Sequence, residues 1–178
     1  LLDLRFAQCH GGGLCAVALL YVRAAPCKQL LALAEDEVQR REMCVLRDEQ
    51  RDAYNYVLHA VERARRANEK TTVIISGGPG SGKSVIALSL LGELSRQGRT
   101  VIHATGSRSF TQTLRKVAGA RAPRVKKMFQ YFNSFMAAEA NDLDALILDE
   151  AHRIRETSVS RWTKTELRSG RLQIDELI

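Results

Sequence analysis

The chain has 178 residues, of which 45% are hydrophobic and 26% are charged, a balance typical of one soluble globular domain. The apolar run at residues 14–22 is far shorter than the ~20 residues that cross a bilayer, which excludes a membrane-spanning chain. The formal net charge of +7 favours an anionic partner.

The positive charge is concentrated in one segment. No Asp or Glu lies between Glu93 and Glu139, and the cations of this segment outnumber the net charge of the whole chain. They are Arg96, Arg99, Arg108, Arg115, Lys116, Arg121, Arg124, Lys126 and Lys127. Interleaved aromatic residues suit a groove that follows a phosphate backbone and stacks bases. We expect most of these aromatic residues to be core and a few of the cations to contact phosphate.

The first 44 residues carry no diagnostic motif, and we expect them to form an N-terminal helical segment. Residues 11–13 predict a turn, residues 14–22 a buried helix and residues 28–42 a further helix. The cysteines form no CxxC pair, which favours reduced thiols over a zinc site that would include His10. They are Cys9, Cys15, Cys27 and Cys44.

From residue 45 to residue 178 the pattern predicts one α/β domain. A long amphipathic helix is predicted over residues 47–67. Short apolar strands then alternate with helices, which is typical of parallel βαβ units and a sheet flanked by helices. The predicted strands are residues 72–76, 100–104, 128–132 and 145–148, and the predicted helices are residues 83–97 and 107–118.

A glycine-rich segment follows the strand at residues 72–76 and matches GxxxxGK[ST], the Walker A pattern, in full. It consists of Gly77, Gly78, Pro79, Gly80, Ser81, Gly82, Lys83 and Ser84, and Val85 follows it. Glycines let successive backbone N–H groups turn inward onto phosphate oxygens, and the helix that begins at Lys83 adds its positive end. Lys83 is expected to contact the β- and γ-phosphates, and the Ser84 hydroxyl to bind Mg²⁺.

Two carboxylates end the apolar strand at residues 145–148, as in a Walker B motif. Strand ends of this kind face the ligand crevice of an α/β sheet, where the glycine-rich loop also lies. Asp149 is therefore predicted to bind the magnesium ion, and Glu150 to accept a proton from the attacking water.

Residues 149–152 spell DEAH, which resembles motif II of many helicases. With GGPGSGKSVIALSLL, HATGSRSFTQTLR and ILDEAHRI, residues 45–178 resemble the family called domain of unknown function 2075. These are P-loop ATPases related to superfamily 1 DNA/RNA helicases and to the Schlafen helicase-like domain. The resemblance implies a P-loop NTPase with a RecA-like parallel sheet, ATP and Mg²⁺ as ligands, DNA or RNA as partner and a cytoplasmic location.

The resemblance also implies roles for single residues. His152 would relay the state of the γ-phosphate to the nucleic-acid site, and Gln50 would read the adenine edge. Thr105, Ser107 and Arg108 match motif Ia and would contact the backbone of a single strand.

Helicases of this class carry a further strand after motif II and a second RecA-like domain with arginine fingers. Only one or two helices are predicted after Arg153, so we expect a first motor domain truncated after the Walker B strand. An arginine finger contributes roughly 10³–10⁵ in rate, so we expect weak or no hydrolysis and no unwinding by the chain alone. Two alternatives stay open: an AAA+-like or signalling ATPase acting on protein, and a non-hydrolysing ATP-gated binding module.

Overall fold

The computed structural model describes residues 2–12, 16–20, 46–118, 123–139, 141–161 and 163–178. Within these residues, six strands form one sheet: β1 (Leu2–Gly12), β2 (Ala16–Leu20), β3 (Glu69–Gly77), β4 (Val101–Thr105), β5 (Phe129–Tyr131) and β6 (Ala145–Asp149). Their order is β1-β3-β2-β6-β4-β5. All neighbours are parallel except β1, which pairs with β3 in the antiparallel direction at one edge. The predicted α/β architecture with a parallel sheet is confirmed.

Helices connect and cover these strands. They are α1 (Asp48–Ala67), α2 (Lys83–Arg96), α3 (Arg108–Val117), α4 (Pro123–Lys127) and α5 (Gln173–Leu177), with 3₁₀ turns at Phe132–Phe135, Ala151–Arg153 and Thr165–Leu167. The predicted helices and strands beyond residue 45 are confirmed to within a few residues at each end. In the part of the chain that the structure describes, no helix is long and apolar enough to span a bilayer.

Strand β6 shows why the sheet is buried on both faces. All five of its residues are buried, and alternate side chains point to opposite sides. Ala145 and Ile147 join the core cluster that packs under α1, α2 and α3. Leu146 and Leu148 join a smaller cluster on the other face, which includes Leu177 of α5. A continuous apolar run is therefore required at this central strand.

The prediction of a helix over residues 14–22 is wrong where the structure describes them. Ala16–Leu20 is a strand inserted between β3 and β6, and Leu2–Gly12 is a strand at the edge of the same sheet. A short apolar run without polar alternation is compatible with a strand as well as with a helix. Here the run forms a strand because it pairs with β3 on one side and with β6 on the other. The helix predicted over residues 28–42 lies outside the described residues.

Candidate nucleotide-binding site

One row of residues crosses the sheet at the carboxyl ends of its parallel strands. Leu20 of β2 is in register with Ile75 on one side and with Asp149 on the other. Asp149 is in turn in register with Thr105 of β4. Since neighbouring strands lie about 4.8 Å apart, Asp149 is two strand spacings, about 10 Å, from the strand that leads into the glycine-rich loop. The sheet thus brings both predicted motifs to one edge.

The glycine-rich loop begins where β3 ends at Gly77 and closes where α2 begins at Lys83. Gly80 and Gly82 have φ angles of 75° and 83°, in the left-handed region that favours glycine. Gly82 is the residue that caps α2, and the backbone N–H groups of Val85 and Ile86 donate to its carbonyl. Pro79 is exposed at the tip of the loop. The loop thus places glycines at both of its positions with positive φ, and the second of them is the last glycine of the predicted pattern.

Lys83 folds back into the loop and leaves only 1% of its surface exposed. Its Nζ donates to the carbonyls of Gly77 at 2.6 Å and Gly78 at 2.8 Å, and to Ser81 Oγ at 2.7 Å. Burial lowers the pKa of Lys83, and the negative charge of Asp149 partly opposes that effect. The ammonium group is held by polar atoms that an incoming phosphate can replace.

Gln50 contacts the loop from the first turn of α1. Its Nε2 donates to the Ser81 carbonyl at 2.9 Å, while its Oε1 accepts from the Arg47 backbone N–H at 3.1 Å. A methyl group added at Gly82 would lie 2.3 Å from Gln50 Nε2. The structure brings Gln50 to the phosphate loop through these contacts, and the adenine-reading role stays a prediction.

Asp149 is fully buried at the end of β6. Its Oδ1 accepts from the backbone N–H of Glu150 at 2.9 Å, and its Oδ2 accepts no hydrogen bond within the described part of the chain. Oδ2 lies 3.5 Å from Nε2 of His103, which is buried between the rings of Phe110 and Phe129. A buried carboxylate oxygen without a donor is uncommon in a folded protein, and carboxylate oxygens are among the ligands that Mg²⁺ prefers.

Glu150 follows in a left-handed conformation with a φ of 56°, which is uncommon for a residue with a side chain. Its side chain is only 7% exposed, and Oε2 forms an ion pair with Nε of Arg153 at 2.7 Å. Burial raises the pKa of Glu150, the charge of Asp149 adds to this, and Arg153 acts in the opposite direction. The turn thus presents a buried carboxylate with increased proton affinity.

The residues present fit a magnesium nucleotide. The two loop residues at positive φ are glycines and carry no Cβ, Lys83 supplies a buried cation, and Asp149 Oδ2 supplies a free acceptor among the described residues. Ser84 lies in the first turn of α2, half-buried and one residue after Lys83. Oxygen ligands of this kind suit a hard divalent cation.

The three predicted nucleic-acid residues lie together where β4 passes into α3. Thr105 is fully buried, and its Oγ1 accepts from the Ser107 backbone N–H, so its hydroxyl helps to shape the turn. Ser107 caps α3 by accepting from the Phe110 N–H at 3.4 Å. Arg108 is exposed. Phosphate contact stays a prediction for all three residues.

Part of the basic segment has a structural task. Arg99 pairs with Glu62, Arg96 pairs with Glu93 at 2.8 Å, and Arg115 donates to the Phe129 carbonyl and stacks on Tyr131. Five other cations are exposed on or beside α3 and α4: Arg108, Lys116, Arg124, Lys126 and Lys127. The aromatic residues at 110, 129, 132 and 135 are buried, as expected for core. Arg121 lies outside the described residues.

Two residues of this site were not predicted from sequence. His103 meets Asp149 only because β4 and β6 pair in a particular register. Arg153 follows Glu150 by three residues, a spacing that brings side chains together in a helical turn. His152 lies in the same turn, partly buried. Its coupling role stays a prediction.

Residues 70–178 match the family described as Schlafen group 3, DNA/RNA helicase domain. The match begins in β3 and includes the glycine-rich loop and the DEAH turn, and it leaves out α1 with Gln50. No curated protein and no solved structure matches the chain significantly. Because the matched segment covers well over half of the chain, the protein belongs to the Schlafen group 3 DNA/RNA helicase domain family.

Proposed function

We propose that this chain binds Mg·ATP on a RecA-like P-loop NTPase domain and couples its hydrolysis to DNA or RNA. The observation that carries the proposal is one sheet edge with three groups: a buried lysine in a glycine-rich loop, a buried carboxylate oxygen without a donor among the described residues, and a buried glutamate. The kinship with domain of unknown function 2075 is part of the proposal and rests on the three motif strings.

Nucleotide binding would begin with an exchange of partners at Lys83. Its Nζ leaves the carbonyls of Gly77 and Gly78 and contacts phosphate oxygens, while the loop N–H groups and the start of α2 contribute partial positive charge. Ser84 and Asp149 would hold the magnesium ion, which when bound neutralises phosphate charge and orients the phosphate oxygens.

Glu150 would act as the general base. Its buried carboxylate accepts a proton from the attacking water, and a raised pKa increases its affinity for that proton. In the structure one of its oxygens, Oε2, forms the ion pair with Arg153, although the two groups are not aligned as a hydrogen bond. The carboxylate can then accept the proton either through Oε1, or through Oε2 once the arginine has moved away.

Nucleic acid is proposed as the partner because exposed cations surround the start of α3 and α4. Ser107 and Arg108 would contact backbone phosphates at the N-terminus of α3, where contacts position a strand without reading its sequence. His152 would report the nucleotide state to this site from the turn that follows Asp149.

Two measurements test this function. Fluorescence anisotropy of a labelled single-stranded oligonucleotide should give different affinities for the apo, Mg·ADP and Mg·ATP states, since coupled sites change one another's affinity. Lys83→Ala should remove that difference. The slow phosphate release that we expect from the parent chain in single-turnover conditions should be lost in Glu150→Gln while ATP binding is retained. Equal oligonucleotide affinities in all three states would favour a protein-directed ATPase, and release that survives Glu150→Gln would reject the general base.

A further inference from the structure

The ion pair between Glu150 and Arg153 joins a buried side chain to a partly exposed one. The glutamate side chain is 7% exposed at the end of the central strand, whereas half of the arginine side chain is exposed. The pair spans one 3₁₀ turn, in which the Arg153 backbone N–H also donates to the Glu150 carbonyl at 2.9 Å. A partly exposed guanidinium is therefore paired with the buried carboxylate that is proposed to activate water.

Arg153 also touches the loop that leads into α3. A methyl group added at Gly106 would lie 2.6 Å from Arg153 Cβ, so the stem of the arginine packs directly against this glycine. Gly106 follows β4 and precedes Ser107, the residue that caps α3. The guanidinium that holds Glu150 is therefore carried by a side chain that lies against the loop where phosphate contacts are proposed.

We propose that Arg153 is a positioning residue that links nucleic-acid binding to the general base. Without nucleic acid the arginine holds Glu150 through the ion pair. A backbone phosphate at residues 106–108 competes for the guanidinium and frees Oε2 to accept the proton of the attacking water. This inference rests on the function proposed above.

The coupling must be reciprocal, because phosphate and Glu150 compete for the same cation. Removing the charge of Glu150 should make Arg153 more available to phosphate, even when no nucleotide is bound. This consequence does not depend on turnover, so it can be measured by binding alone.

The test is a double-mutant cycle on the affinity for a labelled single-stranded oligonucleotide in low salt, with the chain free of nucleotide. Glu150→Gln should raise the affinity roughly two- to fivefold, the range of a half-exposed ion pair. The same substitution in an Arg153→Gln background should have no effect. Arg153→Lys keeps a cation and should restore part of the increase.

Glu156→Gln is the control for charge alone, since Glu156 is an exposed acid three residues beyond Arg153. Its effect on affinity should be smaller than that of Glu150→Gln. The effect should also be the same in the parent chain and in the Arg153→Gln variant. Circular dichroism melts should show that every variant is folded before its affinity is compared.

The outcomes are distinguishable. In one, Glu150→Gln raises the oligonucleotide affinity equally with and without Arg153→Gln, or Glu156→Gln raises it as much. Either result would show that the effect is one of long-range charge. It would overturn the role of Arg153 and leave the nucleic-acid binding intact. Absence of salt-dependent binding by the unsubstituted chain overturns the nucleic-acid function and this inference together.

Discussion

Glu150 departs from an ordinary surface glutamate in both its backbone and its environment. A φ of 56° places its backbone in a region that residues other than glycine rarely occupy, at a cost of order 1–3 kcal/mol. Burial beside Asp149 is unfavourable for a second negative charge and raises its pKa. Such local costs are typical of residues retained for chemistry, and they agree with the proposed role as a base.

Glu150→Gln should stabilise the fold at neutral pH. Because the folded-state pKa is raised, the contribution of Glu150 to stability is fully present below its unfolded pKa and is lost as the pH rises through the folded pKa. A glutamine cannot ionise, so the free energy of unfolding from urea titrations should exceed that of the parent at pH 7. The difference should shrink as the pH falls below the ordinary glutamate value.

Glu156→Gln serves as the control for this pH series, because Glu156 is exposed. Its free energy of unfolding should follow that of the parent chain across the range. A Glu150→Gln variant that is less stable than the parent at pH 7 would show that the ion pair with Arg153 outweighs the burial of the charge.

Prediction from sequence worked best for side chains whose partners are close along the chain. Lys83 contacts its own loop, and Asp149 lies at the end of an apolar strand that leads to the ligand edge. The contact of His103 with Asp149 depends on the pairing of β4 with β6, which no local pattern encodes. The burial of Thr105 and the bond from the Ser107 N–H to its hydroxyl could not be read from the motif match either.

The junction of β3, the glycine-rich loop and α2 depends on Gly82 in two ways. Its φ of 83° disfavours any side chain, and its position leaves no space beside Gln50 Nε2. The hydrogen bond from Gln50 to the Ser81 carbonyl holds the start of α1 against the loop whose last glycine caps α2. The glycine-rich loop and the first turn of α1 therefore pack as one unit.

Gly82→Ala should lower the free energy of unfolding by more than the ~1–2 kcal/mol that a left-handed conformation costs an alanine. Gly98→Ala isolates the backbone cost, because Gly98 has a φ of 75° and nothing within 4 Å of an added methyl. In a Gln50→Ala background the extra loss at Gly82 should disappear. Urea unfolding of these variants checks the prediction, and equal losses at Gly82 and Gly98 would contradict the contact.

The elements differed in how well sequence predicted them. Strands β3 to β6 and helices α1 to α3 follow from apolar runs, helical periodicity and a glycine at the end of α2. Strand β2 does not, since five apolar residues carry no period that separates strand from helix. Its identity depends on a slot between β3 and β6, and both of these strands lie far from β2 along the chain. Long-range pairing is the information that local pattern lacks.

At the scale of the whole molecule, charge is divided between structure and surface. Arg96, Arg99 and Arg115 have protein partners, whereas Arg124, Lys126 and Lys127 are exposed on α4 around a single buried Val125. A short helix with one anchoring side chain and three exposed cations presents its charge outward. This surface is the strongest candidate for non-specific contact with a phosphate backbone.

Replacing Arg124, Lys126 and Lys127 together by glutamine should weaken binding of single-stranded oligonucleotides. The slope of log affinity against log salt should become shallower by roughly 0.7 for every phosphate that the variant no longer neutralises. The same triple substitution of Arg63, Arg65 and Arg66, exposed cations on α1, is the matched control and should leave the slope nearly unchanged. Equal weakening by both sets would indicate that net charge alone governs binding.

The central claim is that the glycine-rich loop binds the phosphates of Mg·ATP through Lys83. Calorimetric titration of the chain with ATP in the presence of Mg²⁺ tests it most directly, with Lys164→Ala as the control, since Lys164 is an exposed lysine far along the chain. We predict saturable binding that Lys83→Ala weakens about 10- to 100-fold, as expected when a charge-assisted hydrogen bond to phosphate is removed, and that Lys164→Ala leaves unchanged. Absence of binding, or equal binding by the Lys83→Ala variant, would contradict the account.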